Sequence, residues 1–294
     1  MGGINGSHLF FRKKAARPRL VRNLAATKSI APFRFTDPNP PMIAQFTFGG
    51  RAFRADLGHG HDLSLPLVPG EGRTPNCFWA PWVEAEPVRA GDFVGRVAEG
   101  GPVNFFNVRF NPHGNGTHTE CYGHLDPAQQ NVNDCLTETW HLAQLVTLYP
   151  RAAENGDRVV YRDQLEALWP TPEGPVPTAF VLRTLPNDDL KRTARYSGGN
   201  PPYLHHEAAE FLVEKGVEHL LLDLPSLDRE EDGGELLAHR AFWRYPHDIR
   251  RHCTVTELIF VAPPIQDGFY LLHLQVAPFA LDASPSRPML YPLV

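Results

Sequence analysis

The chain has 294 residues, 42% of them apolar, and a formal net charge of −5. That length suffices for the core of one large domain or two small ones, and a pI near 6.3 leaves no basic excess for gripping nucleic acid. No apolar run approaches the ~18 residues of a membrane span, and 29 prolines with 24 glycines favour a turn-rich, sheet-rich protein over a helical bundle.

The first 41 residues differ from the rest, with eight lysines and arginines against one acid, Asp37. Such a leader resembles an organellar transit peptide. The plainer alternative is a disordered tail or an over-extended start ahead of Met42, so residues 1–41 are excluded from the fold and one domain is expected over 42–294. Phe46-Thr47-Phe48, Gly49-Gly50 and Arg51-Ala52-Phe53 predict two short strands about a hairpin turn. Asp62 to Leu67 predicts an extended edge piece. Val103 to Phe110 sets Phe106, Val108 and Phe110 on one face, the period of a half-buried strand. Ala179–Leu182 predicts a strand, Leu204 to Gly216 a helix, and Leu220–Leu224 a buried strand; further strands are expected over 254–261 and 269–276. A helix between apolar strands, with hairpins around it, argues α/β with a mixed sheet. The four cysteines, Cys77, Cys121, Cys135 and Cys253, show no CxxC spacing, which argues against a disulfide framework and for a reducing cytoplasm.

The chemistry concentrates between Asn111 and His124, where His113, His118, His124 and Glu120 fall within twelve residues. Imidazole and carboxylate are the ligands that Zn²⁺ and Mn²⁺ favour. The run is thus half of a metal site or, on the plain alternative, a surface turn with incidental histidines. His118 and Glu120, two apart, project to one side of extended backbone. His113 reaches the same ion only through a turn at Gly114-Asn115-Gly116. His124 suits either ligation or general acid/base work. A second segment supplies Asp223 to Asp228, His239 and Glu257. Glu257 interrupts an apolar run, where an unpaired buried carboxylate costs roughly several kcal/mol. It is therefore exposed, paired with Arg250 or Arg251, or bound to a metal.

Gly116-Thr117-His118-x-Glu120-x-x-x-His124 resembles the His-x-Gly-Thr-His-x-Asp-x-Pro-x-His signature of the cyclase family, which contains the metal-dependent bacterial kynurenine formamidases. Asp62-Leu63-Ser64, Leu222 to Asp228 and Asp282-Ala283-Ser284-Pro285-Ser286-Arg287 are similar to further family segments. The resemblance implies a mixed-sheet swivelling β/β/α fold and one or two divalent ions, Zn²⁺ or alternatively Mn²⁺. It implies His118, Glu120, His239 and Glu257 as ligands, with His113 as the fifth, and His124 as the catalytic acid/base. It further implies a small-molecule amide substrate, N-formylkynurenine first, and a homodimer or higher homo-oligomer; from charge and hydropathy, no nucleic-acid or membrane partner is expected. The chain departs from the pattern at Glu120, where the family has Asp, and at His113, one residue farther from His118 than the family's first histidine. Trp79 and Trp82 are candidates to wall an aromatic pocket, ordinary packing being the alternative. Thr117 and Ser226 are expected to support the site rather than ligate. Rival functions are hydrolysis of another cyclic amide or ester, such as an isatin-like lactam, and a catalytically silent binding protein. His59-Gly60-His61 is expected to be a turn. His205-His206-Glu207 lacks the second histidine of a zincin helix, and no Gly-x-Ser-x-Gly is present.

Overall fold

Short apolar and β-branched runs build a nine-stranded sheet. The computed structural model describes residues 41–169 and 174–294, which fall in one compact unit, Asn39–Val294. The expected leader, up to residue 40, lies outside the described residues. In chain order the sheet's strands are β1 (His61–Asp62), β2 (His118–Cys121), β3 (Trp140–Leu148), β4 (Ala179–Thr184), β5 (His219–Leu222), β6 (Thr254–Glu257), β7 (Gly268–His273), β8 (Ala283–Pro285) and β9 (Met289–Pro292). They lie side by side as β8-β2-β6-β5-β4-β3-β7-β9-β1. The central four, β6-β5-β4-β3, are parallel, and each flank is antiparallel. A mixed α/β sheet was the expectation, and the architecture meets it.

Both faces of the centre are covered, which is why β4 and β5 read as continuous apolar runs. Phe180, Leu182, Leu220 and Leu222 belong to one buried cluster, with Phe211 and Leu212 of helix α3 (His206–Glu214) and Phe242 and Trp243 of helix α4 (Leu237–Trp243). Ala179, Val181 and Leu221 belong to a second cluster on the opposite face. Two shorter helices are α1 (Val132–Cys135) and α2 (Arg162–Leu168). Helix α3 stops where expected, at Gly216 with φ +82°. The Gly49-Gly50 hairpin also forms, both glycines having positive φ, as a tight two-residue turn requires.

Two elements differ from the sequence-based expectation. Phe106–Arg109 pairs only with Glu84–Pro87, in a separate two-stranded ribbon, and Phe106 and Val108 are exposed rather than half-buried. Alternation marks an amphipathic strand but does not say that anything covers it. The strand expected over 254–261 ends at Glu257, because Leu258 turns to φ +54°. That turn places the Glu257 carboxylate at a strand end, where functional groups reach out of a sheet.

Candidate metal centre

The antiparallel register of β2 and β6 sets His118 directly opposite Glu257, and Glu120 opposite Val255. Side chains opposed in this way share a face, so both motif residues turn toward Glu257 and α4. Helix α4 then brings His239 over the same spot. Its first turn is fixed by Asp228, whose carboxylate accepts the backbone N–H groups of Ala238 (2.7 Å) and His239 (3.1 Å). The same carboxylate lies 2.6 Å from His239 Nδ1, which orients the ring and directs Nε2 to Glu120 Oε1 at 3.0 Å.

The glycines of the motif are needed for close approach. Gly116 has φ +66°, and a Cβ there would press on Leu67 and the Leu65 carbonyl. A Cβ on Gly123 would overlap the Gln130 carbonyl. With Asn115 accepting from the Asn111 N–H (2.8 Å), the turn over 111–116 takes up the extra residue before His118. His113 therefore still arrives, its Nδ1 3.0 Å from Glu120 Oε2.

Glu120 and Glu257 are buried, at 1% and 3% exposure. Glu257 Oε1 accepts the Leu227 N–H at 3.0 Å, and Oε2 lies 3.2 Å from His118 Nε2. Neither arginine suggested for Glu257 reaches it. Arg250 donates to the Phe242 and Val217 carbonyls, and Arg251 to the Tyr122 hydroxyl at 2.6 Å. His118 Nε2 is fully buried and makes no hydrogen bond, although Glu257 Oε2 lies 3.2 Å away. A buried imidazole nitrogen without a hydrogen-bond partner beside two buried carboxylates is what a ligand set looks like without its cation. Two triads that share Glu120 are spaced to hold one, His113–His118–Glu120 and Glu120–His239–Glu257, and a third, His113–His124–Asp282, adjoins them at the open side. All donors are imidazole nitrogen or carboxylate oxygen, which fits a borderline divalent cation.

The buried carboxylates and imidazoles also set one another's protonation. Burial opposes protonation of His113, but its bonds to Asp282 and Glu120 outweigh this and push its pKa up to about 10. His239 is likewise raised well above its ordinary value, burial being overcome by Asp228, Glu120 and Glu257. Burial would raise the Glu120 pKa, yet the surrounding His124, His113 and His239 hold it well below the carboxylate range. A cation bound here must displace the protons from the ligating nitrogens.

His124 sits at the open side of the cluster, its ring centroid 4.4 Å from that of His113 and tilted by 35°. Its Nδ1 lies 3.2 Å from Asp282 Oδ2 and 4.0 Å from Glu120 Oε2. Asp282 also meets His113 Nε2 at 2.9 Å. Neither Asp282 nor Asp228 figured as a site residue in the sequence reading, although both stand in segments that carried the family resemblance. Thr117 does not face the cluster as a donor; it accepts the Leu65 N–H (2.7 Å) and donates to the Leu258 carbonyl (2.6 Å), bracing the turn after Glu257. Ser226 accepts the Asp228 N–H in the turn below α4.

Trp79 is 58% exposed with φ +51°, and its N–H donates to Ser197 Oγ, while Trp82 is half-buried. The same segment packs on the motif, since the Cys77 N–H donates to the Gly114 carbonyl and Cys77 Sγ to the His113 carbonyl. All four cysteines are free and buried. His59 closes a turn onto Asp56, and His205 accepts the Glu207 N–H at the start of α3.

Comparison with known proteins bears on this centre. A family described as "Putative cyclase" matches residues 56–229. The chain is 34% identical over 93 residues to a kynurenine formamidase of Bacillus cytotoxicus, covering 31% of this chain and 41% of that protein. It is 30% identical over 110 residues to a kynurenine formamidase of Bacillus mycoides, covering 35% and 49%. The matched stretch thus spans less than half the length of these curated relatives. Isatin hydrolase A from Labrenzia aggregata, solved bound to benzyl benzoate, superposes with a TM-score of 0.57 at 15% identity, over 79% of this chain and 93% of that one. A structure titled a potential metal-dependent hydrolase with cyclase activity gives 0.55 at 15% identity, over 80% and 98%. At such identities the likeness is one of fold.

Proposed function

The chain belongs to the cyclase family, and from that premise we propose that it is a metal-dependent hydrolase of carbon–nitrogen amide bonds. One observation carries the reading. Donors from two remote segments, His113, His118 and Glu120 with His239 and Glu257, converge in a buried cluster whose His118 Nε2 has no hydrogen bond. We assign His118 Nε2, His239 Nε2, His113 Nδ1 and the two carboxylates to one or two ions, with Zn²⁺ the first choice and Mn²⁺ the second. A divalent cation held there supplies Lewis acidity toward an amide carbonyl and lowers the pKa of water to about 7.

The protein's own groups do the rest. Asp282 takes the His124 Nδ1–H and so leaves Nε2 as the basic nitrogen at the open side. That nitrogen accepts the proton of the attacking water and returns it to the leaving amine nitrogen. Asp228 fixes the His239 ring through Nδ1, and Glu120 joins the two triads. Trp79, exposed beside Ser197, is assigned to the rim of an aromatic pocket, with Trp82 behind it. The expected homo-oligomer stands as part of this proposal, supported by the exposed Phe105, Phe106 and Val108. Among the described residues no helix is long and apolar enough to cross a membrane, which is compatible with the proposed cytoplasmic location.

N-formylkynurenine, cleaved to kynurenine and formate, is the substrate we put first, and an isatin-like lactam second. Assays of both, with and without a chelator, decide between them. Hydrolysis of the formamide that a chelator abolishes and Zn²⁺ or Mn²⁺ restores is the expected result. Less than one ion per chain after reconstitution, with neither substrate turned over, would establish the silent binding protein instead. His124→Ala is expected to lower kcat by about 10²–10⁴-fold, while elemental analysis finds the bound metal retained. Loss of the metal together with activity would make His124 a ligand.

A further inference from the structure

A second group of histidines lies on the other face of the sheet and at the other end of its parallel strands. His141 of β3 and His219 of β5 flank the start of β4, where Ala143, Ala179 and His219 stand in register. The two alanines leave room for the imidazoles, which meet across β4 with ring centroids 4.0 Å apart. Both are buried, at 3% and 4% exposure, and line a cavity of about 240 Å³ together with Glu138, Glu218 and His252. From Thr254, the partner of His219, to Glu257 of the first centre is three residues of strand, or about 10 Å.

We propose that this cavity is a second divalent-cation site, independent of the hydrolytic centre and suited to a borderline ion such as Zn²⁺. The hydrogen bonds of the two rings argue for it. His141 Nε2–H donates to the Glu138 carbonyl (3.1 Å), and His219 Nδ1 meets Thr254 Oγ1 at 2.8 Å. Metal-binding histidines are held in this way, one nitrogen tied to a protein oxygen; the Glu138 carbonyl leaves His141 Nδ1 its lone pair, and Thr254 does the same for His219 Nε2 when its hydroxyl accepts. His141 Nδ1 and His219 Nε2 have no hydrogen-bond partner among the described residues. Burial also lowers the pKa of both rings, His219 most strongly, so both are neutral at physiological pH and need lose no proton to ligate.

The remaining ligands come from the rim. His252 Nε2 and Glu218 Oε1 lie 3.5 Å apart on exposed side chains, and ligation would turn both inward from that pairing. Glu138 and Glu218 bias the cavity toward a cation. Arg250, which bears on His219 together with His141 and His252, has its guanidinium engaged by the Phe242 and Val217 carbonyls. An ion in the cavity would tie the segment ahead of β3 to the start of β5 and to the turn before β6.

The test is Zn²⁺ binding to the full chain, followed by elemental analysis after equilibrium dialysis and by titration. Glu120→Ala, which disables the first centre, is expected to keep one ion. Adding His141→Gln should remove that ion, and adding His252→Ala instead should weaken it about tenfold. His252 is on the surface, so this variant remains informative if His141→Gln does not fold. The proposal is overturned if the Glu120→Ala protein binds no Zn²⁺, or if it binds Zn²⁺ with the same stoichiometry and affinity after either histidine is changed. These outcomes do not depend on whether the protein hydrolyses an amide.

Discussion

Glu120→Ala is expected to empty the proposed metal centre and to lower kcat/KM at least ~10³-fold, about 4 kcal/mol of transition-state stabilisation. No other residue belongs to both triads, and none meets as many of the site's imidazoles: His239 and His113 at 3.0 Å, and His124 at 4.0 Å. Alanine removes a negative charge that His113 and His239 share and leaves Glu257 as the only carboxylate of the two triads. Metal content measured beside activity gives the check. A variant that keeps its full metal at the first centre would place the ligands elsewhere. Glu120→Asp separates charge from reach. The family signature has aspartate here, but in this chain the carboxylate meets His239 Nε2 with the length of a glutamate. Shortened by one methylene it is expected to keep an ion and to bind it more weakly, because α4 and Asp228 fix His239 in place.

Much of this centre was legible before any coordinates. His118 and Glu120 share a face because strands alternate, and nothing in the tertiary structure disturbs that rule. Glu257 was conspicuous as a carboxylate in an apolar run, although the sequence left exposure or an arginine partner open beside a metal. Only the packing shows Arg250 and Arg251 drawn to the Phe242 carbonyl and the Tyr122 hydroxyl. His113 looked displaced by one residue, and backbone geometry answers the point, since Gly116 at positive φ lets the turn absorb the insertion. Asp228 and Asp282 were quoted in matching segments yet given no role. A single carboxylate in a loop has no period and no spacing that marks it, and its importance lies in the ring it meets. The exposed Phe106–Arg109 ribbon failed in the opposite way, because its pattern was real and its burial was not. Leu258, at φ +54°, shows why the length of β6 was overestimated, as a β-rich composition gives no sign of a residue turned to positive φ.

The second large effect is expected outside the centre, at the C-terminal ends of β4 and β5. Asp223 is 1% exposed and accepts the Thr184 N–H (2.9 Å), the Thr184 hydroxyl (2.8 Å) and Lys191 Nζ (2.7 Å). Burial raises its pKa in spite of the lysine, so the carboxylate is costly to keep ionised even when paired. Lys191→Met removes the one countercharge and leaves a buried anion held by neutral donors. Breaking a buried pair in this way costs about 3–5 kcal/mol, and the retained Thr184 bonds favour the lower end. The pH dependence has a definite sign. An acid whose folded pKa lies above its unfolded value holds the proton more tightly when folded, so stability falls as pH rises through that range. Urea unfolding of Lys191→Met should therefore show a larger loss at pH 8 than at pH 5, and Lys191→Met/Asp223→Leu should recover most of it. Equal losses at both pH values would mean that the lysine acts by packing rather than by charge. The strain would also reach the metal centre, because the chain running on from Asp223 supplies the Leu227 N–H to Glu257 and the Asp228 carboxylate to His239. Lys191→Met is accordingly expected to bind metal more weakly at pH 8 than at pH 5 relative to the unsubstituted protein, although Lys191 is not one of the assigned ligands.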